Sequence, residues 1–177
     1  MLKRLLLIAV VTAFSCESKK ESASVNIIEI SNSGVSGKAI FKKTSKGTKL
    51  TVTVTGKKKT TVAVHIHGGN ECDYVDGSAA MGHWNPTGEA HRYWGTKNFH
   101  SGDLGNIKLN SEGWGKLVVV DNNKRWSLEK TGKKSVIGKT IIIHSGYDDG
   151  MSQPTGNSGE RVGCGVITPV FSTNNKR

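Results

Sequence analysis

Hydrophobic and polar residues alternate most clearly between residues 48 and 55. Leu50, Val52 and Val54 fall on one face of an extended chain, and threonines occupy the other face. This period of two predicts a β-strand with one buried face. Turn signals that contain Gly47 and Gly56 bracket the segment and predict where the strand ends.

Similar short runs recur along the chain, separated by glycine, serine, asparagine and lysine. The pattern predicts seven strands: Val25–Ile30, Lys38–Lys43, Thr48–Thr55, Thr60–His67, Gly115–Asp121, Thr140–His144 and Gly163–Thr168. Neither a helical period nor a heptad repeat competes with this pattern, so we predict an all-β sandwich or barrel. Two stretches lack a strand pattern, Gly68 to Gly105 and Ser145 to Val162. Long loops of this kind in a compact domain usually carry function.

The amino terminus reads as an export signal. Lys3 and Arg4 precede the apolar stretch Leu5–Phe14, which is too short to span a bilayer as a helix. Cys16 follows a small residue, as in a bacterial lipobox, which predicts a signal peptide over residues 1–15 and lipidation of Cys16. The alternative is an ordinary signal peptide that is cleaved near Ser15. Either interpretation exports the protein, and we expect it in the bacterial periplasm or cell envelope, anchored through Cys16.

A polar segment follows this cysteine and predicts a flexible tether over residues 16–24, ahead of a domain over residues 25–177. The chain of 177 residues has 22 glycines and a formal charge of +11, which falls to +9 without Lys3 and Arg4. No apolar run approaches the roughly 20 residues of a transmembrane helix. A basic chain favours anionic partners, but its net charge does not show where the field is focused.

The six histidines are the main candidates for chemistry: His65, His67, His83, His91, His100 and His144. His65 and His67 are two residues apart on a predicted strand, so both side chains share one face and can chelate a transition metal. Val62, Val64 and Ile66 then point the other way, towards the core.

The other histidines extend this metal-binding pattern. His83, His91 and His100 follow in the first long loop, and Asp103 comes three residues later. Three imidazoles and one carboxylate make a ligand set that suits tetrahedral zinc. His144 ends an apolar strand, where its side chain can project into a cleft. The alternative for any single histidine is a hydrogen-bonded loop residue.

Two further cysteines lie in the domain, Cys72 in the first long loop and Cys164 in the last predicted strand. Export favours a disulfide between them. The alternatives are two free thiols or two soft metal ligands.

Together these residues resemble the copper/zinc superoxide dismutase family, from about Ser36 to Pro169. The matching segments are Val64-His65-Ile66-His67, Gly82-His83-Trp84-Asn85-Pro86-Thr87-Gly88, His100-Ser101-Gly102-Asp103-Leu104-Gly105-Asn106, Ile143-His144, Asp148-Asp149, Gly156-Asn157-Ser158, and Arg161 through Cys164-Gly165-Val166-Ile167.

The resemblance implies a Greek-key β-sandwich or barrel that dismutates superoxide by copper redox cycling, with a structural zinc. It implies copper binding by His65, His67, His83 and His144, and zinc binding by His83, His91, His100 and Asp103. His83 would bridge the two metals, and Asp148 would link His65 to His91. Arg161 would guide the anion, and Cys72 and Cys164 would form the family disulfide.

Two other functions remain as hypotheses. The first is a non-enzymatic copper-binding or chaperone domain on the same fold, which would be expected to lack His83, Asp148 or Arg161. The second is binding to an anionic surface through Lys57, Lys58 and Lys59, but no stacking aromatic residues flank this run, so we expect no nucleic-acid partner. The sequence leaves open whether the chain forms a homodimer.

Overall fold

The computed structural model describes residues 22–170, so the predicted signal peptide, Cys16 and the carboxyl-terminal residues from 171 onward lie outside the described part. The strands are β1 (Ser22–Glu29), β2 (Ser36–Thr44), β3 (Gly47–Thr55), β4 (Thr61–His67), β5 (Asp103–Lys108), β6 (Trp114–Asp121), β7 (Thr140–His144), β8 (Arg161–Val166) and β9 (Thr168–Val170). One short 3₁₀ helix, Ser78–Ala80, lies in the first long loop. Within residues 22–170 we find no helix that is long and apolar enough to cross a membrane.

The strands form one antiparallel sheet that curls into a nearly closed barrel. Their order is β5-β4-β7-β8-β1-β2-β3-β6, and β9 pairs with β1 beside β8. A tight hairpin joins β5 to β6 and brings the two ends of the sheet together, with the Asn110 N–H donating to the Trp114 carbonyl at 2.9 Å. The prediction of an all-β Greek-key barrel with two long loops is therefore confirmed.

The barrel interior holds the apolar faces that the alternation predicts. Leu50, Val52 and Val54 are fully buried there, together with Val64 and Ile66 of β4. The alternate positions of β4 face outward, so His65 and His67 lie on the outer wall of the barrel beneath the long loops. Burial of the inward faces is the main stabilising term, at about 25 cal/mol per Å² of apolar surface.

The strand β5 was not predicted, because its apolar residues are three apart rather than two. Leu104 and Ile107 are both buried although a strict alternation would put them on opposite faces. A β-bulge opposite Val64 and His65 accounts for the shift, since Val64 pairs with Gly105 and His65 with Asp103. The first loop therefore ends three residues before the predicted end at Gly105, and Asp103 begins a strand.

The predicted strand ends also differ at β1 and β8. β1 begins at Ser22 rather than Val25, because residues 22–24 pair with both β2 and β9, so the predicted tether overlaps this strand by three residues. The predicted strand Gly163–Thr168 is divided, because Ile167 leaves the ladder and donates its N–H to the Lys139 carbonyl at 2.8 Å. As a result, the first three residues of β1 pair with β2 on one side and with β9 on the other.

Candidate metal centre

Three segments of the chain, β4, β7 and the first long loop, bring the six histidines together on the outer wall of the barrel. His65 and His67 come from β4 and His144 from the neighbouring strand β7, in which His144 pairs with Ala63 of β4. The first long loop folds back over them, and a β-bridge between His67 and His83 fixes its return. Gly102 allows this close approach, because a Cβ atom there would lie 2.1 Å from the carbonyl oxygen of Ile66.

The side chains form two groups that share one residue. His65, His67, His83 and His144 each present one ring nitrogen, and these atoms lie within 4.8 Å of one another. The second group consists of His83, His91, His100 and Asp103, whose ligand atoms also lie within 4.8 Å of one another. In this group Asp103 Oδ1 lies 2.9, 3.0 and 3.1 Å from the Nδ1 atoms of the three histidines. His83 thus belongs to both groups through its two ring nitrogens.

Backbone carbonyls fix the tautomers of three of these histidines. The outer nitrogens donate from His67 Nδ1 to the Met81 carbonyl at 2.7 Å and from His144 Nδ1 to the Gly159 carbonyl at 3.0 Å. His100 Nε2 donates to the Glu89 carbonyl at 2.9 Å. Because a carbonyl can only accept, each inward nitrogen carries a lone pair. His67 Nε2 and His144 Nε2 face each other at 3.3 Å in this state, an arrangement that a cation would stabilise.

Asp148 fixes the tautomer of one histidine in each group, His65 and His91. Its Oδ2 accepts from His65 Nε2 at 2.8 Å, and its Oδ1 accepts from His91 Nε2 at 2.9 Å. The Asn106 side chain holds the backbone of Asp148 by a reciprocal pair of hydrogen bonds of 2.8 and 2.9 Å. Gly156 leaves room for this carboxylate, because a Cβ atom there would lie 2.0 Å from Asp148 Oδ1.

Three inward ring nitrogens have the properties expected of metal ligands. His65 Nδ1, His83 Nε2 and His91 Nδ1 are buried and have no hydrogen-bond partner among the described residues. His91 Nδ1 is close to Asp103 Oδ1, but the two atoms are not aligned for a hydrogen bond. An unsatisfied buried polar atom costs about 1–3 kcal/mol, so three at one point indicate a ligand that completes them. Imidazoles with one carboxylate are donors that suit copper and zinc.

Burial and charge set the protonation of the centre. Burial lowers the pKa of His65, takes that of His67 well below its usual range, and brings His83 and His144 to pKa values of about 4 and about 3. These rings are therefore neutral and able to bind metal at pH 7.

His91 differs because it lies between two carboxylates. Burial opposes its charge, but the nearby carboxylates of Asp103 and Asp148, of which Asp148 accepts a hydrogen bond from the ring, outweigh burial and raise its pKa to about 9. Burial would raise the pKa values of both carboxyls, yet their hydrogen bonds to histidines hold them far below the usual range. Asp103 and Asp148 thus supply negative charge to the centre across the physiological range.

Arg161 lies beside the first group at the start of β8, where it pairs with His144. Its guanidinium donates to the carbonyls of Gly77 and Met81, and the Met81 contact measures 2.6 Å. The Met81 carbonyl also accepts from His67. One peptide group therefore orients both an arginine at the rim and a histidine of the centre.

A disulfide joins Cys72 to Cys164, with the two Cα atoms 5.9 Å apart. It fixes the first long loop to β8, next to the buried residues Ile30 and Ile142. Within this loop Asp73 accepts hydrogen bonds from the backbone N–H groups of residues 75, 76, 77 and 79 at 2.8–3.3 Å. The loop that carries the Gly77 and Met81 carbonyls is thus held at its base.

The structure brings together all the site residues that the sequence singled out within residues 22–170, whereas Cys16 lies outside them. Sequence reasoning assigned no role to the residues that hold these ligands in place, namely Asp73, Met81, Glu89, Asn106, Gly156 and Gly159. Most of them act through a backbone carbonyl or, as Gly156 does, by leaving space for a neighbouring side chain. Only Asp73, four residues before a glycine in a loop, carries a recognisable turn signal.

Comparisons with known proteins agree with this geometry. The model of the family described as copper/zinc superoxide dismutase (SODC) matches residues 35–167. "Superoxide dismutase [Cu-Zn] 2" of Aquifex aeolicus is 33% identical over 165 residues, which cover 91% of this chain and 93% of that protein. "Superoxide dismutase [Cu-Zn]" of Podospora anserina is 36% identical over 148 residues, covering 77% of this chain and 91% of the relative.

Solved structures show the same fold. The crystal structure of the clock protein EA4 superposes with a TM-score of 0.72 at 25% identity, covering 85% of this chain and 96% of that chain. A doubly substituted SOD-like protein from Bacillus subtilis superposes with a TM-score of 0.71 at 27% identity, covering 82% of this chain and 96% of the other.

Proposed function

The chain belongs to the copper/zinc superoxide dismutase family, and from this premise we propose that its histidine centre converts superoxide to oxygen and hydrogen peroxide. The protein is an oxidoreductase with copper and zinc as cofactors and superoxide as substrate. The observation that carries the residue assignment is the position of His83, whose two ring nitrogens belong to two separate ligand groups.

The two groups would hold different metals. Copper would be held by His65 Nδ1, His67 Nε2, His83 Nε2 and His144 Nε2, and zinc by the Nδ1 atoms of His83, His91 and His100 with Asp103. When bound, copper supplies the one-electron redox chemistry that dismutation requires, whereas zinc has no redox role.

The chain's own residues provide the proton and the substrate path. His83 Nδ1 stays next to Asp103, so Nε2 is the atom of His83 that is placed to hold and release a proton beside the incoming substrate. Arg161 stays positively charged at any physiological pH, and its two carbonyl acceptors hold the guanidinium at the rim. We assign Arg161 to guiding and orienting the superoxide anion.

The alternative of a non-enzymatic copper-binding domain is not favoured. Such a domain would be expected to lack His83, Asp148 or Arg161, and here all three take part in the contacts described. The named relatives are superoxide dismutases, which adds to the same conclusion.

The decisive experiment measures metal content and superoxide loss on the same purified sample. Arg161→Ala should retain both metals and lose rate, most strongly at low salt, where screening is weakest. His83→Ala should instead disturb the metal content itself, because it removes a ligand from both groups. A wild type that holds copper without dismutating superoxide, or an Arg161→Ala variant with full activity at two salt concentrations, contradicts the assignment.

Export remains a proposal, supported by the basic and apolar amino terminus that ends at Cys16. We assign residues 1–15 to a signal peptide and Cys16 to a lipid anchor in the bacterial envelope. Replacing Cys16 by Ser should release the protein from membranes. A wild type that is soluble and has no lipid mass by mass spectrometry would refute the anchor.

The homodimer also stays a prediction, for which sedimentation equilibrium is the measurement.

A further inference from the structure

One end of the barrel carries a dense group of lysines, which we call the basic end. Its members lie on the β2–β3 hairpin and in the loop that follows β6: Lys42, Lys43, Lys46, Lys49, Lys124, Lys133 and Lys134. Lys42 pairs directly with Lys49 across the hairpin. Lys43, Lys124 and Lys134 line one shared cleft, and Lys133 lines the neighbouring cleft with Lys134. The group is therefore contiguous in space.

Within residues 22–170, few carboxylates line the clefts of this end. The carboxylates that line the two clefts belong to Asp121, Glu129 and Glu89. Asp121 is buried and accepts the backbone N–H groups of residues 123 and 126. Glu89 is paired with Arg125. Glu129 is the one exposed carboxylate that remains in these clefts of the described chain, so the basic end has a large positive excess.

The amino-terminal segment leaves the barrel at this same end. Ser22, the first residue of β1, pairs with Lys42 on one side and Val170 on the other. The proposed lipid anchor, Cys16, lies only six residues before Ser22, the first residue of the barrel. Fully extended, six residues span at most about 20 Å. An anchor at Cys16 would therefore place the basic end next to the bilayer.

We infer that the basic end docks onto anionic lipid headgroups. The choice of a lipid surface as the partner rests on the proposed anchor at Cys16, because the short tether presents this end to the membrane. Each lysine near an anionic surface contributes about 1 kcal/mol, and the attraction acts within a Debye length of about 8 Å at physiological salt. An acyl anchor and a basic patch together give firmer attachment than either gives alone.

Docking in this orientation leaves the metal centre accessible. Ser22 and Glu29 are the two ends of β1, and Arg161 lies near the Glu29 end, because Glu29 pairs with Gly163. The basic end therefore approaches the membrane while the arginine at the rim stays away from it. The surface would hold the enzyme in one orientation without covering the path of the substrate.

The test uses the full chain with Cys16→Ser, so that no acyl group contributes to binding. We would measure co-sedimentation with phosphatidylcholine vesicles and with vesicles that also contain phosphatidylglycerol. The docking variant is Lys124→Glu, Lys133→Glu and Lys134→Glu together. The matched control is Lys57→Glu, Lys58→Glu and Lys59→Glu, which changes the net charge equally at the far end of β3, about 25–30 Å away.

The Cys16→Ser chain should bind the phosphatidylglycerol vesicles and not those of phosphatidylcholine alone. The docking variant should bind them roughly 100-fold more weakly, since three lysines at about 1 kcal/mol each are lost. The control should stay close to the parent chain. Equal losses in the two variants, no binding to anionic vesicles, or tighter binding to a DNA fragment would each overturn the inference.

The result of the vesicle-binding experiment is independent of whether the protein dismutates superoxide. All the lysines involved lie outside the metal centre, so superoxide dismutation by the variants should match the parent chain. The anchor itself is read from the lipid mass of the wild type. A failure of docking therefore leaves dismutation and lipidation to be judged on their own measurements.

Discussion

Arg125 links the zinc-binding group to the barrel without touching a metal ligand. Its guanidinium donates to both carboxylate oxygens of Glu89 at 2.7 and 3.2 Å and to the Phe99 carbonyl at 3.0 Å. It also lies 4.2 Å from the centre of the Phe99 ring. The Glu89 carbonyl in turn accepts from His100 Nε2, so Arg125→Gln should loosen the backbone that orients this histidine.

The structure sets the size of the effect. Both charged side chains are about one-fifth exposed, so the pair is partly screened by solvent. A charge-assisted hydrogen-bonded pair contributes about 1.5–3 kcal/mol, and a cation above an aromatic ring adds about 0.5–1 kcal/mol. After allowance for exposure we expect Arg125→Gln to lower the free energy of unfolding of the metal-free chain by about 2 kcal/mol. Zinc affinity should fall about 10-fold, the lower end of the effect of outer partners.

The stability effect should depend on pH in one direction. Hydrogen bonds from Arg125 lower the pKa of Glu89 below its usual value of 4.5. A carboxyl whose pKa is lowered by folding stabilises the protein above its unfolded pKa, and that contribution is lost as the pH falls through its folded pKa. The difference between wild type and Arg125→Gln should therefore be largest near pH 7 and shrink as the pH falls below about 4.5.

Urea unfolding of the two metal-free chains at pH 7 and pH 3.5, with zinc affinity from chelator competition at pH 7, provides the assay. The histidines of the centre are the same in both chains, so their contribution cancels in the difference. Lys133→Gln, which removes an exposed cation from the same cleft, is the control and should change neither quantity. An equal difference at both pH values, or zinc affinity unchanged within about 2-fold, would refute the pairing argument.

Three further changes test other parts of the centre. Cys164→Ser opens a link between residues 92 apart in sequence and should lower the free energy of unfolding by up to about 4–5 kcal/mol, measured with metals removed. Asp73→Asn should retain both metals, measured by elemental analysis, but slow dismutation, because part of the hydrogen-bond set beneath the rim arginine is lost. Gly156→Ala should weaken metal binding about 10–100-fold by displacing Asp148. Gly88→Ala, with the same φ of 71° and open space around it, is its control; equal losses in the two alanine variants would indicate backbone strain instead.

The alternation of residues predicted most of the barrel because most strands bury one face. Leu50, Val52 and Val54 show this period directly, and their strand lies where the pattern places it. β5 escaped prediction because a bulge lets Leu104 and Ile107 share the buried side. Bulges depend on the partner strand, which a single segment of sequence does not reveal. β9 escaped because three residues are too few to show a period.

The metal ligands were predictable for a different reason. Histidine and aspartate are few, and their chemistry limits what a cluster of them can do. The residues that orient the ligands offer no such signal, because backbone carbonyls orient His67, His100 and His144. Every residue has a carbonyl, so only the folded chain shows which ones are used.

At Met81 the effect of a substitution depends on the backbone conformation more than on the side chain. Its side chain is 65% exposed, so its identity contributes little to packing. Its backbone has a φ of 62°, which turns the carbonyl towards both His67 Nδ1 and Arg161. The functional property of this position is therefore its conformation, a φ of 62° with a ψ of −152°, which glycine adopts freely and a β-branched residue cannot adopt without strain. Substitution of Met81 by Gly should preserve dismutation, whereas substitution by Val should impair the rim arginine and the copper-binding histidine together.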